Sequence, residues 1–148
     1  GLESFTISLH RGEAIQINNF TVIDDTYNAN PDSLRLSLAS VAEAYSGKKV
    51  AVLGEMLELG REGPDMHAAL LPLMGELDGV ITVGELWQCG RDKLDNLWHH
   101  FDQVQDLTLE LVLDQLQPGD RVLLKGSNKI FWTSGFSRKL RQVLSGSL

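Results

Sequence analysis

The chain has 148 residues, 13 of them Lys or Arg and 20 Asp or Glu, for a net charge of −7; 43% are hydrophobic and one is cysteine. This balance fits one compact domain with its own core, burying roughly 70% of the unfolded surface without a disulfide or metal staple. The acidity argues against nucleic acid or an anionic membrane surface as principal partner. Four scattered histidines and a single cysteine argue against a zinc framework, and Cys89, unable to pair within the chain, makes a reducing, cytoplasmic setting the default.

Residues Gly1 to Leu9 form neither a secretory h-region nor a charged n-region, and no apolar run approaches the roughly 20 residues of a bilayer helix. Gly1 to Phe5, with no starting Met, reads as a boundary inside a larger polypeptide, and residues 1–12 as the remnant of an interdomain connection. Ala14 to Ile17 and Phe20 to Ile23, joined by Asn18-Asn19, predict an antiparallel hairpin. The next helix has Asn30 as N-cap, Pro31 in its first turn and Gly47 as its stop, with Leu34, Leu38, Val41, Ala42 and Tyr45 on its apolar face.

Lys49 to Leu53, Gly79 to Val83 and Arg121 to Leu124 are continuous apolar runs, as strands covered on both faces should be. Between them a helix is expected from Pro64 toward Leu77, kinked or interrupted at Pro72. Further helices are expected over Leu86 to Trp98, over Leu107 to Leu116 with Asp106 as cap, and from Thr133 or Ser134 to Leu144, with a short strand between Phe101 and Val104. The alternation predicts a Rossmann-like three-layer α/β domain with a mainly parallel sheet and an initial antiparallel hairpin, residues 1–148 forming one domain.

Ligands of such sheets bind beyond the carboxyl ends of the strands. Asp24 to Pro31 offers two carboxylates, an aromatic ring, amides and a helix N-terminus, a set suited to a nucleotide's ribose and base and equally to an Asx turn with a helix cap. Residues Gly54 to Gly60 lack the lysine and the glycines of a phosphate loop. Glu55 and Glu58 instead suit a cation, an ammonium group or a metal-bound phosphate, while Met56, Leu57 and Leu59 suit the core. Lys125-Gly126-Ser127 offers a cation, a close backbone approach and a hydroxyl for a phosphate or carboxylate, or else a surface lysine. His67 reads as a packing or capping residue, and His99, His100, Trp87, Trp98 and Trp132 as surface and core. No nucleophile elbow, thiolate site or P-loop is present, so the chain reads as a binding half.

Asp24-Asp25-Thr26-Tyr27-Asn28-Ala29-Asn30-Pro31-Asp32-Ser33 resembles the C-terminal-domain signature of the Mur ligases. Val52 to Gly60 is similar to the Val-Leu-Gly-Asp-Met-x-Glu-Leu-Gly pattern of the branch that adds D-alanyl-D-alanine to UDP-N-acetylmuramoyl-tripeptide in peptidoglycan synthesis. Pro118-Gly119-Asp120 and Lys125-Gly126-Ser127 match the same branch. Glu55 departs from its usual Asp, and Asn128 to Trp132 replaces its usual Arg-containing stretch.

The resemblance implies the last of three domains: an N-terminal domain holds the UDP-sugar, a central one carries the P-loop and magnesium ligands, and this one closes over ATP. The tripeptide carboxylate is converted by ATP to an acyl phosphate, which the dipeptide amine attacks. The resemblance also implies that Asp25 meets the ribose, that Tyr27, Asn28 and Asn30 line the adenine and phosphate side, that Ser33 supports the loop, and that Glu58 and Lys125-Gly126-Ser127 face the dipeptide. No complete catalytic set is expected here, so the isolated domain is expected to be inactive. The alternative is a stand-alone nucleotide-binding or receiver-like module; a receiver needs Asp where Leu53-Gly54-Glu55 has Glu.

Overall fold

The computed structural model describes residues 13–25, 30–43, 47–57, 59–126 and 136–146, with backbone alone for residues 13–15, 24, 25, 136 and 137. Strands β1 (Glu13–Ile17) and β2 (Phe20–Asp25) form the antiparallel hairpin, with Ile17 opposite Phe20. Its turn places Asn18 at φ 53°, a left-handed conformation that asparagine tolerates better than most residues. The remaining strands are β3 (Lys49–Gly54), β4 (Gly79–Val83), β5 (Leu97–Phe101) and β6 (Arg121–Lys125). The sheet order is β1-β2-β6-β3-β4-β5, every pairing after the first being parallel.

Alternation along the strands divides the core into two layers. Ile23, Ala51, Leu53, Val80 and Leu123 face helix α1 (Pro31–Ala42) and helix α2 (Gly63–Met74), meeting Leu34, Leu38, Leu70 and Met74. Val22, Val52, Ile81, Val122 and Leu124 face the other way, toward Val112 of α3 (Leu109–Leu113) and Leu140 and Leu144 of α4 (Phe136–Leu144). Each fully buried aliphatic side chain contributes roughly 1.5–3 kcal/mol, so the two layers carry most of the driving force for folding.

At the amino ends of β3 and β6, Asp120 ties the loops: its carboxylate accepts from the N–H groups of Lys48 (2.9 Å) and Gln117 (2.8 Å). Within the Pro118-Gly119-Asp120 sequence it is thus the buried Asp120 that acts as the clasp.

Three expectations are corrected. Residues 86–98 form no long helix; a 3-10 turn (Glu85–Gly90) leads through an irregular stretch into β5, which begins before the strand expected at 101–104. Gly90 fits where a Cβ would lie 3.1 Å from both Leu71 and Leu94, and the Asn96 amide donates to the carbonyls of Met74 and Leu77, both 2.8 Å. These tertiary contacts override the helical period. In α3 the cap is Thr108, whose hydroxyl accepts from the Leu111 N–H, while Asp106 belongs to a 3-10 turn (Val104–Asp106). Helix α2 passes through Pro72 and ends two residues later, because Pro72 lies in its last turn. Residues 1–12, Tyr45 and residues 133–135 lie outside the described residues.

Candidate functional site

The polar junctions singled out in the sequence meet along one sheet edge. Asp25 is in register with Lys125, Lys125 with Leu53, and Gly54 with Val83, so the carboxyl ends of β2, β6, β3 and β4 stand side by side. The insertion of β6 between β2 and β3 creates this adjacency.

Helix α1 opens from this edge. Asn30 is extended (φ −143°, ψ 167°), and its Oδ1 accepts from the Ser33 N–H at 2.9 Å while Ser33 Oγ accepts from the Asn30 N–H at 3.2 Å. This reciprocal capping box fixes the angle at which the chain enters the helix. Of the other residues assigned to the nucleotide side, Asp25 is placed by its backbone, and Tyr27 and Asn28 lie outside the described residues.

Lys125 ends a central strand and is 1% exposed, which sets aside the surface-lysine reading. Alternation puts it on the α1 side of β6 with Leu123. Gly126, also buried, follows directly; Ser127 and Glu58 lie outside the described residues.

The loop leaving β3 is held by contacts that sequence reasoning missed. Trp87 Nε1–H donates to the Gly54 carbonyl at 3.0 Å, and the Met56 N–H donates to His67 Nε2 at 3.0 Å. His67 Nδ1 lies 2.6 Å from the Gly63 carbonyl one helical turn back. Because the Met56 amide can only donate, Nε2 is the acceptor and Nδ1 carries the proton, an assignment made from the network. The two rings meet edge to face at 4.5 Å, and His67, Trp87 and Met56 have no exposed surface. Desolvation pushes the His67 pKa below its usual 6.5, against smaller opposing effects of the Gly63 bond and the Glu55 charge.

Glu55 is engaged within the fold. Its backbone N–H donates to the Val83 carbonyl and its carboxylate accepts from the Leu86 N–H at 3.0 Å, covering the start of the 3-10 turn. Gly84, at φ 114°, makes room: a Cβ there would collide with the Glu55 side chain. The same engagement occupies the place where a receiver would present its phosphoacceptor.

A second polar chain joins Thr82 Oγ1 to His100 Nδ1 (2.8 Å) and His100 Nε2 to Asp102 Oδ1 (3.0 Å), with the Gln88 amide donating to the same oxygen. It has the order of a hydroxyl, imidazole and carboxylate triad, but Thr82 is 1% exposed and its hydroxyl presents no surface for attack. The chain is a tie between β4, β5 and the 3-10 turn. Its bonds from Gln88 and His100 hold the Asp102 carboxyl below its usual range. Burial pushes the Cys89 thiol up, the opposite of what a nucleophile needs. Among the described residues no three His, Cys, Asp or Glu side chains form a metal-ligand group, and no helix is long and apolar enough to cross a membrane.

Residues 10–128 match the family model described as Mur ligase, glutamate ligase domain. The chain is similar to the UDP-N-acetylmuramoyl-tripeptide–D-alanyl-D-alanine ligases of Rickettsia prowazekii (31% identical over 135 residues, 87% of this chain and 29% of the relative) and Mycobacterium tuberculosis strain CDC 1551 (35% over 151 residues, 82% and 29%). It therefore spans less than a third of these relatives. Among solved structures it resembles MurF of Acinetobacter baumannii (TM-score 0.76, 26% identity, 90% of this chain and 30% of that one). The MurF ligase of Thermotoga maritima in complex with ADP shares the fold, with a TM-score of 0.77 at 24% identity over 94% of this chain and 32% of that one.

Proposed function

The chain belongs to the Mur ligase family, and from that premise we propose that it is the ATP-closing domain of a ligase that joins D-alanyl-D-alanine to UDP-N-acetylmuramoyl-tripeptide in the cytoplasm. The observation that carries the proposal is the register that sets Asp25, Lys125 and the end of β3 side by side beside the capped start of α1. A nucleotide and a zwitterionic dipeptide together need this combination: acceptors for ribose hydroxyls, backbone donors and a helix dipole near phosphate, and both signs of charge at the peptide.

In this reading Asp25 accepts from the ribose hydroxyls, and Tyr27, Asn28 and Asn30 line the adenine and phosphate side. Asn30 does so with its amide NH2, its Oδ1 being spent on the cap that Ser33 completes. Glu58 meets the dipeptide ammonium, and the Gly126-Ser127 turn meets its carboxylate beside the positive charge of Lys125. Magnesium and the phosphate loop belong to the other domains of the polypeptide, as does the UDP-sugar site; this sequence contains no Gly-Lys-Ser/Thr loop.

ATP supplies the phosphoryl group that turns the tripeptide carboxylate into an acyl phosphate and leaves as ADP. The dipeptide amine then attacks the acyl carbon, giving up a proton as phosphate departs. The domain excludes water from the acyl phosphate and orients the amine, which is how a closing domain contributes to rate without supplying a reacting atom.

Asp25→Ala, made in the polypeptide that carries this domain, tests the assignment. Loss of a charged acceptor is worth about 1.5–3 kcal/mol, so KM for ATP should rise roughly 10- to 100-fold. Unchanged KM for ATP with unchanged kcat would contradict the role of Asp25.

A further inference from the structure

We propose that His67 and Trp87 are positioning residues for the incoming dipeptide: together they set the path of the loop leaving β3, and through it the dipeptide's affinity. The inference rests on the reading that this loop faces the dipeptide. It goes beyond that reading by locating the determinant in two side chains that touch no substrate.

The strand stops pairing at Gly54, and the next residues need other partners for their backbone polar groups. Trp87 binds the carbonyl of Gly54, and His67 binds the N–H of Met56. The residue between them, Glu55, is fixed on its other side by the Val83 carbonyl and the Leu86 N–H. Residues 54–56 are therefore gripped from α2 and from the 3-10 turn at once. The edge-to-face contact of the two rings makes the grips one unit.

The chemistry of position 67 argues against a merely space-filling role. Leu70, Leu71 and Met74 supply the apolar face of α2, and a leucine at 67 would extend it without the cost of desolvating an imidazole. A fully buried imidazole offsets that cost only by using both nitrogens, and here both are used, one anchored to Gly63 in its own helix and the other holding Met56. The grip lies at the end of β3 next to the end of β6, so a shift in it moves one wall of the proposed dipeptide site. Asp25, the proposed ribose contact, ends β2 on the far side of β6 and should not feel it.

The test uses the polypeptide carrying this domain, with steady-state kinetics in both substrates. His67→Phe should raise KM for D-alanyl-D-alanine about tenfold while KM for ATP stays within about twofold, because loss of positioning is felt at the substrate the loop holds. His67→Gln, which restores an acceptor for the Met56 N–H, should recover most of the loss. Trp87→Phe, which keeps an aromatic ring at the position and removes the donor to Gly54, should raise the dipeptide KM by a smaller factor. Hydrogen exchange reads the grip itself: the Met56 amide should exchange faster in His67→Phe with Val50 to Leu53 unchanged.

Equal changes in both KM values, or an unchanged dipeptide KM in folded His67→Phe and Trp87→Phe, would overturn the proposal. Should His67→Phe fail to fold, Trp87→Phe carries the same decision, because it removes the other grip on the loop. Asp25→Ala separates the two levels. If it raises KM for ATP as expected while the clamp variants spare the dipeptide, the present inference fails alone; if it also has no effect, the site reading fails with it.

Discussion

At the scale of single residues, His67 shows how a polar side chain is tolerated with no exposed surface. Its neutral form satisfies an acceptor and a donor inside the fold, and protonation would turn Nε2 toward the Met56 N–H as a second donor. The folded state therefore holds His67 neutral below its ordinary pKa of 6.5. A lowered pKa means that the unfolded chain binds the proton first. The contribution of His67 to stability is thus complete above pH 6.5 and is lost as pH falls from there through the lowered folded value. Urea unfolding between pH 7.5 and 5 should show stability declining toward acid, and His67→Gln should remove that part of the slope. An identical slope in the variant would contradict the role given to the neutral imidazole. Neither contact of the clamp was visible in the sequence, because they span 11 and 33 residues and join side chains to backbone groups that have no sequence signature.

Among the elements, those with local determinants were legible and those decided by distant contacts were not. The Asn18-Asn19 hairpin and the Asn30-Pro31 helix start carry their instructions within a few residues, and both form where expected. The stretch after β4 carries apolar residues at helical spacing, yet the close seat of Gly90 and the two carbonyls held by Asn96 turn it into a 3-10 turn and an added strand. Gly47 has both kinds of constraint. It sits at φ 77°, and a Cβ on it would collide with the Gly119 carbonyl, where the loops before β3 and β6 pass each other beside the Asp120 clasp. Gly47→Ala should cost about 2–4 kcal/mol, as strain at a left-handed position adds to a backbone collision. Its urea midpoint should fall with an unchanged slope. A loss under about 0.5 kcal/mol, the usual range for an inconsequential surface change, would show that the two loops separate easily.

Over the whole molecule, the sequence pattern fixed which residues end strands but not which strands are neighbours. Asp25, the Gly54 loop and Lys125 could each be recognised as a strand-end group; their assembly depends on β6 lying between β2 and β3, a consequence of the return from β5 across the sheet. Among the described residues that arrangement gives two packed core layers and a polar edge where the strands end, and on the proposed reading the domain depends on others for chemistry. Phosphate release from ATP, measured with UDP-N-acetylmuramoyl-tripeptide and D-alanyl-D-alanine, tests this most directly when the 148 residues alone are compared with the polypeptide that carries them. The account predicts one phosphate per peptide bond from the larger polypeptide, dependent on the dipeptide, and none above background from the domain alone. Sustained ATP turnover by the isolated domain, or turnover by the larger polypeptide that ignores the dipeptide, would contradict it.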